Sequence, residues 1–419
     1  MLLSSMAATH AAGKGSEPDA VFAVVEKVRE AKKLPGPVNV VDGSIGALRD
    51  ENGDLGILPV VDEEFRKLPA ETLMDYASIA GSPEFVQAAI AYTFQGFQPE
   101  GTIAAAVGSP GGTGAIRLMV CNYLNEGDTL LIPDWLWSPY KTIATECAVK
   151  TETYQMFDEG LNFITKSIKE KCVACLEKQD TLLIIFNTPG HNPTGYSLSD
   201  ADWADLIPFF KKLAADTGKK VLLGLDIAYI DYSGDPKESR RFLGMFTGLP
   251  DNMQVLIAFS MSKSFFMYGM RSGAIVSFHS SPEVMQDFVN IHSFSARGAW
   301  SNGNHGAQEL LAKICGDAQL SQRADKERAA LAETLRQRAD IFTKEAKEVG
   351  LKMLPYLGGF FIALPHGNAK AVCAKLMEKH IYLVAMGNGV RVAVCAIPLS
   401  QMPGLAAIIK AAEDEVDGL

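Results

Sequence analysis

The sequence predicts an α/β fold, a three-layer arrangement of a mostly parallel sheet with helices on both faces, joined to a smaller α+β unit. Three observations predict it. Between about residues 60 and 310, short and continuous apolar runs alternate with helical patterns. Runs without polar interruption belong to strands buried on both faces, which is the situation of a parallel sheet between helices. Beyond them comes a single charged helical stretch, "QLSQRADKERAALAETLRQRADIFTKEAKEVG", followed by strand and helix signals of a different rhythm. At 419 residues the chain is also too long for one compact core.

The elements follow in order. The lead "MLLSSMAATHAAGKGS" has no basic start, no usable apolar stretch and no arginine, so neither a secretory signal nor a mitochondrial transit peptide is expected, and it reads as a short disordered lead. "KLPGPVNVVDGSIGALRDENGDLG" is expected to join the smaller unit or to strap a partner subunit. "EFVQAAIAYTF", "GAIRLMVCNYL" and "DWADLIPFFKKLAADTG" carry helical periodicity. "DTLLIP", "DTLLIIFN", "KVLLGLDIAYI", "QVLIAFS" and "SGAIVSF" read as buried strands. After the long helix, "GGFFIALP", a further helix and "VRVAVCAIP" complete the smaller unit. The expected boundaries are 1–60 for the N-terminal segment, 61–312 for the large domain and 313–419 for the small one. No internal repeat is visible.

Composition removes several classes of function. A net charge of −10 argues against nucleic acid or an anionic membrane as the main partner. No apolar run approaches the roughly 20 residues that span a bilayer. Seven cysteines, odd in number and scattered, suggest reduced thiols and a cytoplasmic location. Cys172 and Cys175 form a CxxC, but inside the amphipathic pattern "ITKSIKEKCVACLEK", with no second pair or histidine cluster. Core packing is the expected role, and no metal is expected.

Four stretches carry chemistry. In "AFSMSKSFFMYGMRSGAIV", residues 258–276, Lys263 stands between runs that read as buried strands. A turn lysine is the plain reading. Ser260, Ser262 and Arg271 instead suggest an anion cradle around an amine that can lose its proton and act as a nucleophile. Phosphate contact and Schiff-base formation both remain open at this point. "GSPGGTGAIRLMV", residues 108–120, is glycine-rich and opens a helix, where backbone N–H groups and a threonine hydroxyl can hold phosphate. It fits neither GxxxxGK[ST] nor GxGxxG. "NTPGHNPTGYSLSD", residues 187–200, puts Asn192 just past a strand end, where open α/β sheets bind ligands. "LLGLDIAYIDY", residues 222–232, puts Asp226 and Tyr229 at the end of the next strand. A carboxylate there calls for a cationic partner.

In order and approximate spacing, these pieces resemble the fold-type I pyridoxal-phosphate aminotransferases. Four further stretches resemble the aspartate and aromatic aminotransferase branch: "GSIGALRDENG", "YASIAGSPEF", "ARGAWSNGNHGA" and "GNGVRVAVCAIP". The matches span roughly residues 38 to 400. The resemblance implies a homodimer with shared active sites and pyridoxal 5′-phosphate as cofactor. It implies that Lys263 binds the cofactor as a Schiff base and then moves the substrate proton. Asp226 would pair with the pyridinium nitrogen, and Tyr229 and Asn192 with the phenolic oxygen. The phosphate would take Gly112, Thr113, Ser260 and Arg271, with Tyr76 reaching in from the other subunit. Trp135 would stack on the ring, although Trp137 competes for that place. Arg391 would clamp the substrate α-carboxylate, Gly46 would lie over the substrate, and Arg297 would reach a distal carboxylate from the neighbouring subunit.

The chain departs from the family pattern at Gly111, at Leu136, Trp137 and Ser138, and after Asn302. The function implied is transfer of an amino group from a dicarboxylic or aromatic amino acid (aspartate, tyrosine or phenylalanine) to a 2-oxo acid such as 2-oxoglutarate, by a ping-pong course. A β-eliminating lyase on the same fold is the alternative. A non-catalytic cofactor-binding regulator would need a basic DNA-binding helix pair, which the sequence lacks.

Overall fold

The computed structural model describes residues 6–8, 11–12, 14–15, 19–35 and 39–418. Most of the N-terminal lead, and the reading of it as disordered, lies outside the described residues. A seven-stranded sheet forms the centre, in the order Ile103–Ser109, Gly273–His279, Met253–Ser260, Lys220–Asp226, Thr181–Asn187, Thr129–Pro133, Lys150–Tyr154. Only Gly273–His279 runs against its neighbours. The strands Thr181–Asn187, Met253–Ser260 and Gly273–His279 are buried along their whole length, as their unbroken apolar sequences require.

Alternate residues of each strand enter two separate cores. Leu183, Ile185, Leu222 and Leu256 pack with Ile116, Met119 and Tyr140 on one face. Leu182, Ile184, Leu223 and Val255 pack with Phe85, Trp203 and Phe210 on the other. That is the three-layer arrangement the sequence predicts. Helix starts are also where the residues put them: Ser199 accepts from Asp202 N–H while the Asp202 carboxylate accepts from Ser199, a closed capping box on helix Asp200–Thr217.

Outside the large sheet, Val384–Ala385, Gly389–Val392 and Ile362–Pro365 form an antiparallel three-stranded sheet. The long helix is continuous from Ala318 to Glu348, and the Asp317 carboxylate caps it by accepting from Gln319 and Leu320 N–H. Val41–Asp42 pairs in parallel with Ile381–Tyr382, so the N-terminal segment lies beside the C-terminal part of the chain. Among the described residues no helix is long and apolar enough to cross a membrane.

Two strands of the large sheet escaped the sequence reading, Ile103–Ser109 and Lys150–Tyr154, as did the two-residue strands Val41–Asp42, Ile381–Tyr382 and Val384–Ala385. The expectation of seven free thiols is corrected. Cys121 and Cys147 form a disulfide with Cα atoms 5.4 Å apart, inside the range that a bridge spans. They were separated in sequence, but helices Gly111–Tyr123 and Pro139–Glu146 pack side by side and bring them together. Cys172 and Cys175 are free and buried, in keeping with core packing.

Candidate active site

The strands Thr181–Asn187, Lys220–Asp226 and Met253–Ser260 all end at one cavity of about 710 Å³, roofed by residues 45–47 and flanked by the strand that carries Arg391. An open α/β sheet offers its ligand crevice at the carboxyl ends of its strands. Gly46, Gly112, Thr113, Trp135, Asn192, Asp226, Tyr229, Ser260, Lys263, Arg271 and Arg391, all singled out from the sequence, line this one space.

Lys263 leaves a single-turn helix, Met261–Ser264, directly after the strand Met253–Ser260. Its Nζ donates to the Gly46 carbonyl at 2.6 Å and lies 4.6 Å from the Tyr268 ring centre. Burial pulls its pKa down to about 8, with the Arg271 and Arg391 cations adding to the effect against Cys395 and Asp226. An amine in that range gives up its proton readily near neutrality.

Asp226 is buried, and burial pushes its carboxyl pKa up. Two donors oppose the shift: the Tyr140 hydroxyl at 2.7 Å from Oδ2 and the Ala228 N–H at 3.2 Å from Oδ1. Within this chain the aspartate therefore meets a phenol rather than the cation expected of it. Tyr229, also buried, has its phenol pKa raised by burial and then by Asp226.

The glycine-rich helix Gly111–Tyr123 begins at Gly111 with φ +70°, a left-handed backbone that favours glycine. A Cβ there would stand 3.0 Å from the Arg271 guanidinium. That contact explains the departure at position 111: a serine side chain would crowd the arginine. Arg271 Nη1 donates to Ser262 Oγ at 3.1 Å, so Ser262 holds the arginine in place.

Arg391 is buried on the strand Gly389–Val392, where burial pushes its pKa down. Nη2 donates to the Ser44 carbonyl at 2.7 Å, and Nη1 lies 3.4 Å from Asn192 Oδ1. The guanidinium lies 4.4 Å over the Phe361 ring, and its buried Nε has no hydrogen-bond partner among the described residues. A charged donor left over at a cavity wall is matched by a carboxylate.

Trp135 and Trp137 both line the cavity. Trp135 packs so closely under Gly389 that a Cβ on that residue would come within 2.9 Å of its ring. Trp137 stands edge-on to Tyr140 at 5.3 Å, next to the residue that holds Asp226. Tyr76 and Arg297 are not among the lining residues of this chain. Tyr76 is 83% exposed, and Arg297 is exposed in the last turn of helix Pro282–Ala299, donating to Ser301 Oγ at 2.6 Å.

Sequence reasoning missed three residues. Tyr140 meets Asp226 from 86 positions away. Tyr268 accepts from Leu48 N–H at 3.0 Å and lies against Lys263. Asn187 donates to the Asp226 carbonyl at 2.9 Å and accepts from Asn192 N–H at 2.6 Å, which locks the Asn192 loop to the aspartate. Asn187, at the end of "LLIIFN", was the one with a usable signal: an amide closing a wholly apolar strand.

Residues 38–409 match the family model described as aminotransferase class I and II. The mitochondrial aspartate aminotransferase of Arabidopsis thaliana is 28% identical over 334 residues, 77% of this chain and 74% of that protein. The aromatic-amino-acid aminotransferase of Paracoccus denitrificans is 26% identical over 268 residues, 63% of this chain and 64% of that protein. Among solved structures, an aminotransferase from Anaerococcus prevotii superposes with a TM-score of 0.95 at 35% identity, covering 98% of this chain and all (100%) of that one. The cytoplasmic aspartate aminotransferase of Saccharomyces cerevisiae shares the fold, with a TM-score of 0.80 at 19% identity over 95% of this chain and 97% of its own.

Proposed function

We propose, from the premise that this chain belongs to the class I and II aminotransferase family, that it moves the amino group of a dicarboxylic or aromatic amino acid to a 2-oxo acid, with 2-oxoglutarate the acceptor and a ping-pong course. The family depends on pyridoxal 5′-phosphate. The cavity suits that group: a glycine-floored cradle beside Arg271 for a phosphate, a buried carboxyl at Asp226 for a cationic ring nitrogen, and a lysine with a depressed pKa between them. When bound, the cofactor supplies an aldehyde that takes up amino groups and a protonated ring that accepts electrons.

The chain's own residues do the rest. Lys263 holds the cofactor through Nζ and, once its amine is free, takes the proton from the substrate Cα and returns it. Asp226 would pair with the ring nitrogen, and the Tyr140 hydroxyl, donating to its Oδ2, works toward the carboxylate form. Tyr229 and Asn192 would donate to the phenolic oxygen. Gly112, Thr113, Ser260 and Arg271 hold the phosphate, joined by the partner subunit's Tyr76 in a homodimer. We assign the ring wall to Trp137 in preference to Trp135, because Trp137 adjoins Tyr140 and through it Asp226. Arg391 binds the substrate α-carboxylate under Gly46, and the partner subunit's Arg297 binds a distal one.

The observation that carries this reading is Arg391: a buried cation with an unpaired Nε, in the same cavity as Lys263 and Asp226. A screen of amino donors with 2-oxoglutarate, measuring glutamate, tests it. Aspartate, tyrosine or phenylalanine should yield glutamate. Release of ammonia and a 2-oxo acid without glutamate would identify a lyase instead. Arg297→Ala should cost aspartate roughly a hundredfold in kcat/KM, since a charged pair is worth about 1.5–3 kcal/mol and more when a carboxylate is stranded. Phenylalanine should change little. Equal losses on both would remove the distal-carboxylate role.

A further inference from the structure

The single-turn helix that carries Lys263 is too short to satisfy its own ends. Helix termini leave carbonyls short of good intrahelical partners; in Met261–Ser264 the Lys263 carbonyl accepts a long backbone bond from the Phe266 N–H at 3.3 Å, and the Ser264 carbonyl closes the turn. Each is met from behind the cavity by a side chain. The Tyr232 hydroxyl donates to the Lys263 carbonyl at 2.9 Å, and Arg328 Nε donates to the Ser264 carbonyl at 2.6 Å. The Ser264 hydroxyl in turn bonds to Asp231.

Asp231 is the centre of this group. Its carboxylate accepts from Tyr92 at 2.9 Å and pairs with Arg240 at 2.8 Å, both ion-pair side chains being fully buried. Although burial works against the charge, Arg240 and Arg328 bring its pKa down to about 2. Arg328 lies 5.6 Å over the Tyr92 ring and 5.2 Å over Phe265, and its buried Nη2 has no hydrogen-bond partner among the described residues. Asp231, Tyr232, Arg240, Arg328 and Tyr92 are all absent from the cavity lining, so none can touch a ligand there directly. Arg328 belongs to the long helix Ala318–Glu348, which also reaches Arg49 and Cys395 through Arg338.

We infer that Tyr232 and Arg328 are positioning residues for Lys263, fixing the turn from which Nζ reaches into the cavity and tying it to the seat of the long helix. The inference rests on the reading above that Lys263 carries the cofactor. The network ends on the two carbonyls at the root of this lysine, so it acts on the turn from which Nζ departs. Removing the Tyr232 hydroxyl leaves its ring in place against Phe360, 4.9 Å away, and changes only the hold on Lys263.

The test uses the holoenzyme with Tyr232→Phe, Arg328→Lys and Arg328→Met. The readouts are kcat and KM, the visible circular dichroism of the Lys263-linked cofactor, and thermal unfolding. Tyr232→Phe should lower kcat by roughly tenfold, the worth of one buried hydrogen bond, with KM within about twofold. The dichroism of the cofactor band should change, because it reports the angle at which Lys263 presents the group. Arg328→Lys should recover part of the kcat lost in Arg328→Met. Should Arg328→Met fail to fold, the other two variants carry the test. Wild-type kcat and dichroism in both Tyr232→Phe and Arg328→Lys would overturn the inference. A wild-type protein without a borohydride-reducible linkage at Lys263 would overturn the functional reading itself, and this inference with it.

Discussion

Tyr140→Phe isolates the electrostatics of the site better than any change to Asp226 itself. The tyrosine is fully buried, and its hydroxyl lies 2.7 Å from Asp226 Oδ2. Phenylalanine keeps the ring edge-on to Trp137 and opens no cavity, so the perturbation is one lost donor. A hydrogen bond to a charged group is worth about 1.5–3 kcal/mol. Burial already pushes the Asp226 pKa up, and Tyr140 is the first of the contacts that hold it down. Losing it moves the carboxyl further up, so the group holds its own proton more often and pairs less well with a cationic ring nitrogen. At 1.36 kcal/mol per decade, the amino-transfer step should slow by roughly ten- to a hundredfold. Binding of the donor's carboxylate at Arg391 should change by less than about threefold, because the lost hydroxyl is bonded to Asp226 and not to Arg391 or its partners Ser44 and Asn192. Stopped-flow mixing with an amino donor and no acceptor measures the step from the change in cofactor absorbance. A single-turnover rate within about twofold of wild type, in a protein that unfolds normally, would refute the claim that Tyr140 sets the state of Asp226.

Three other outcomes are expected. Lys263 has a folded pKa of about 8 against its usual 10.5, so the unfolded chain binds the proton more tightly. Without cofactor, wild-type stability relative to Lys263→Met should therefore be lowest below about pH 8 and rise between about pH 8 and 10.5, by at most about 3.4 kcal/mol at 1.36 per unit. Urea unfolding across that range measures it, and a constant difference would refute it. Gly46→Ala brings a Cβ within 2.6 Å of Phe361, which supports Arg391 from 4.4 Å. Overpacking of this kind costs about 1–3 kcal/mol, so KM for donors should rise roughly tenfold while the Lys263 linkage remains reducible; an unchanged KM would count against the contact. Cys121→Ser with Cys147→Ser removes a bridge across 26 residues and should lower stability by about 3.5 kcal/mol on chain-entropy grounds. Identical melting of wild type with and without reductant would show that the bridge does not form in solution.

Much of the fold was legible because its central strands are unambiguous. "TLLIIFN", "MQVLIAFS" and "GAIVSFH" are buried at every residue, a pattern that a strand covered on both faces requires. "IAAAVGS" and "KTETY" were not readable, for opposite reasons. The first is built of small residues with little β signal of their own, and the second is an edge strand whose polar residues face water. The site was legible where chemistry stands out against an apolar background, as at Lys263, Asp226 and Arg391. It was silent where a residue works by long-range contact. Tyr140, Arg328 and Tyr232 look like ordinary helix or turn residues until packing brings them to an aspartate or a carbonyl. The same limit hid the disulfide, since spacing alone says nothing about which helices will be neighbours.

The bond from Arg391 to the Ser44 carbonyl joins residues 347 positions apart, and it closes the cavity. During synthesis the first of these residues leaves the ribosome long before the second exists. At roughly 5–20 residues per second the interval is about 17 to 70 s. Throughout that time the large sheet can assemble, yet the half-built protein has no Arg391 to wall the cavity and no partner strand for Val41–Asp42. Premature termination after Lys263 but short of the last strands thus yields a chain that has the lysine but an unfinished cavity. The order of synthesis leaves the cavity open until the chain is nearly whole.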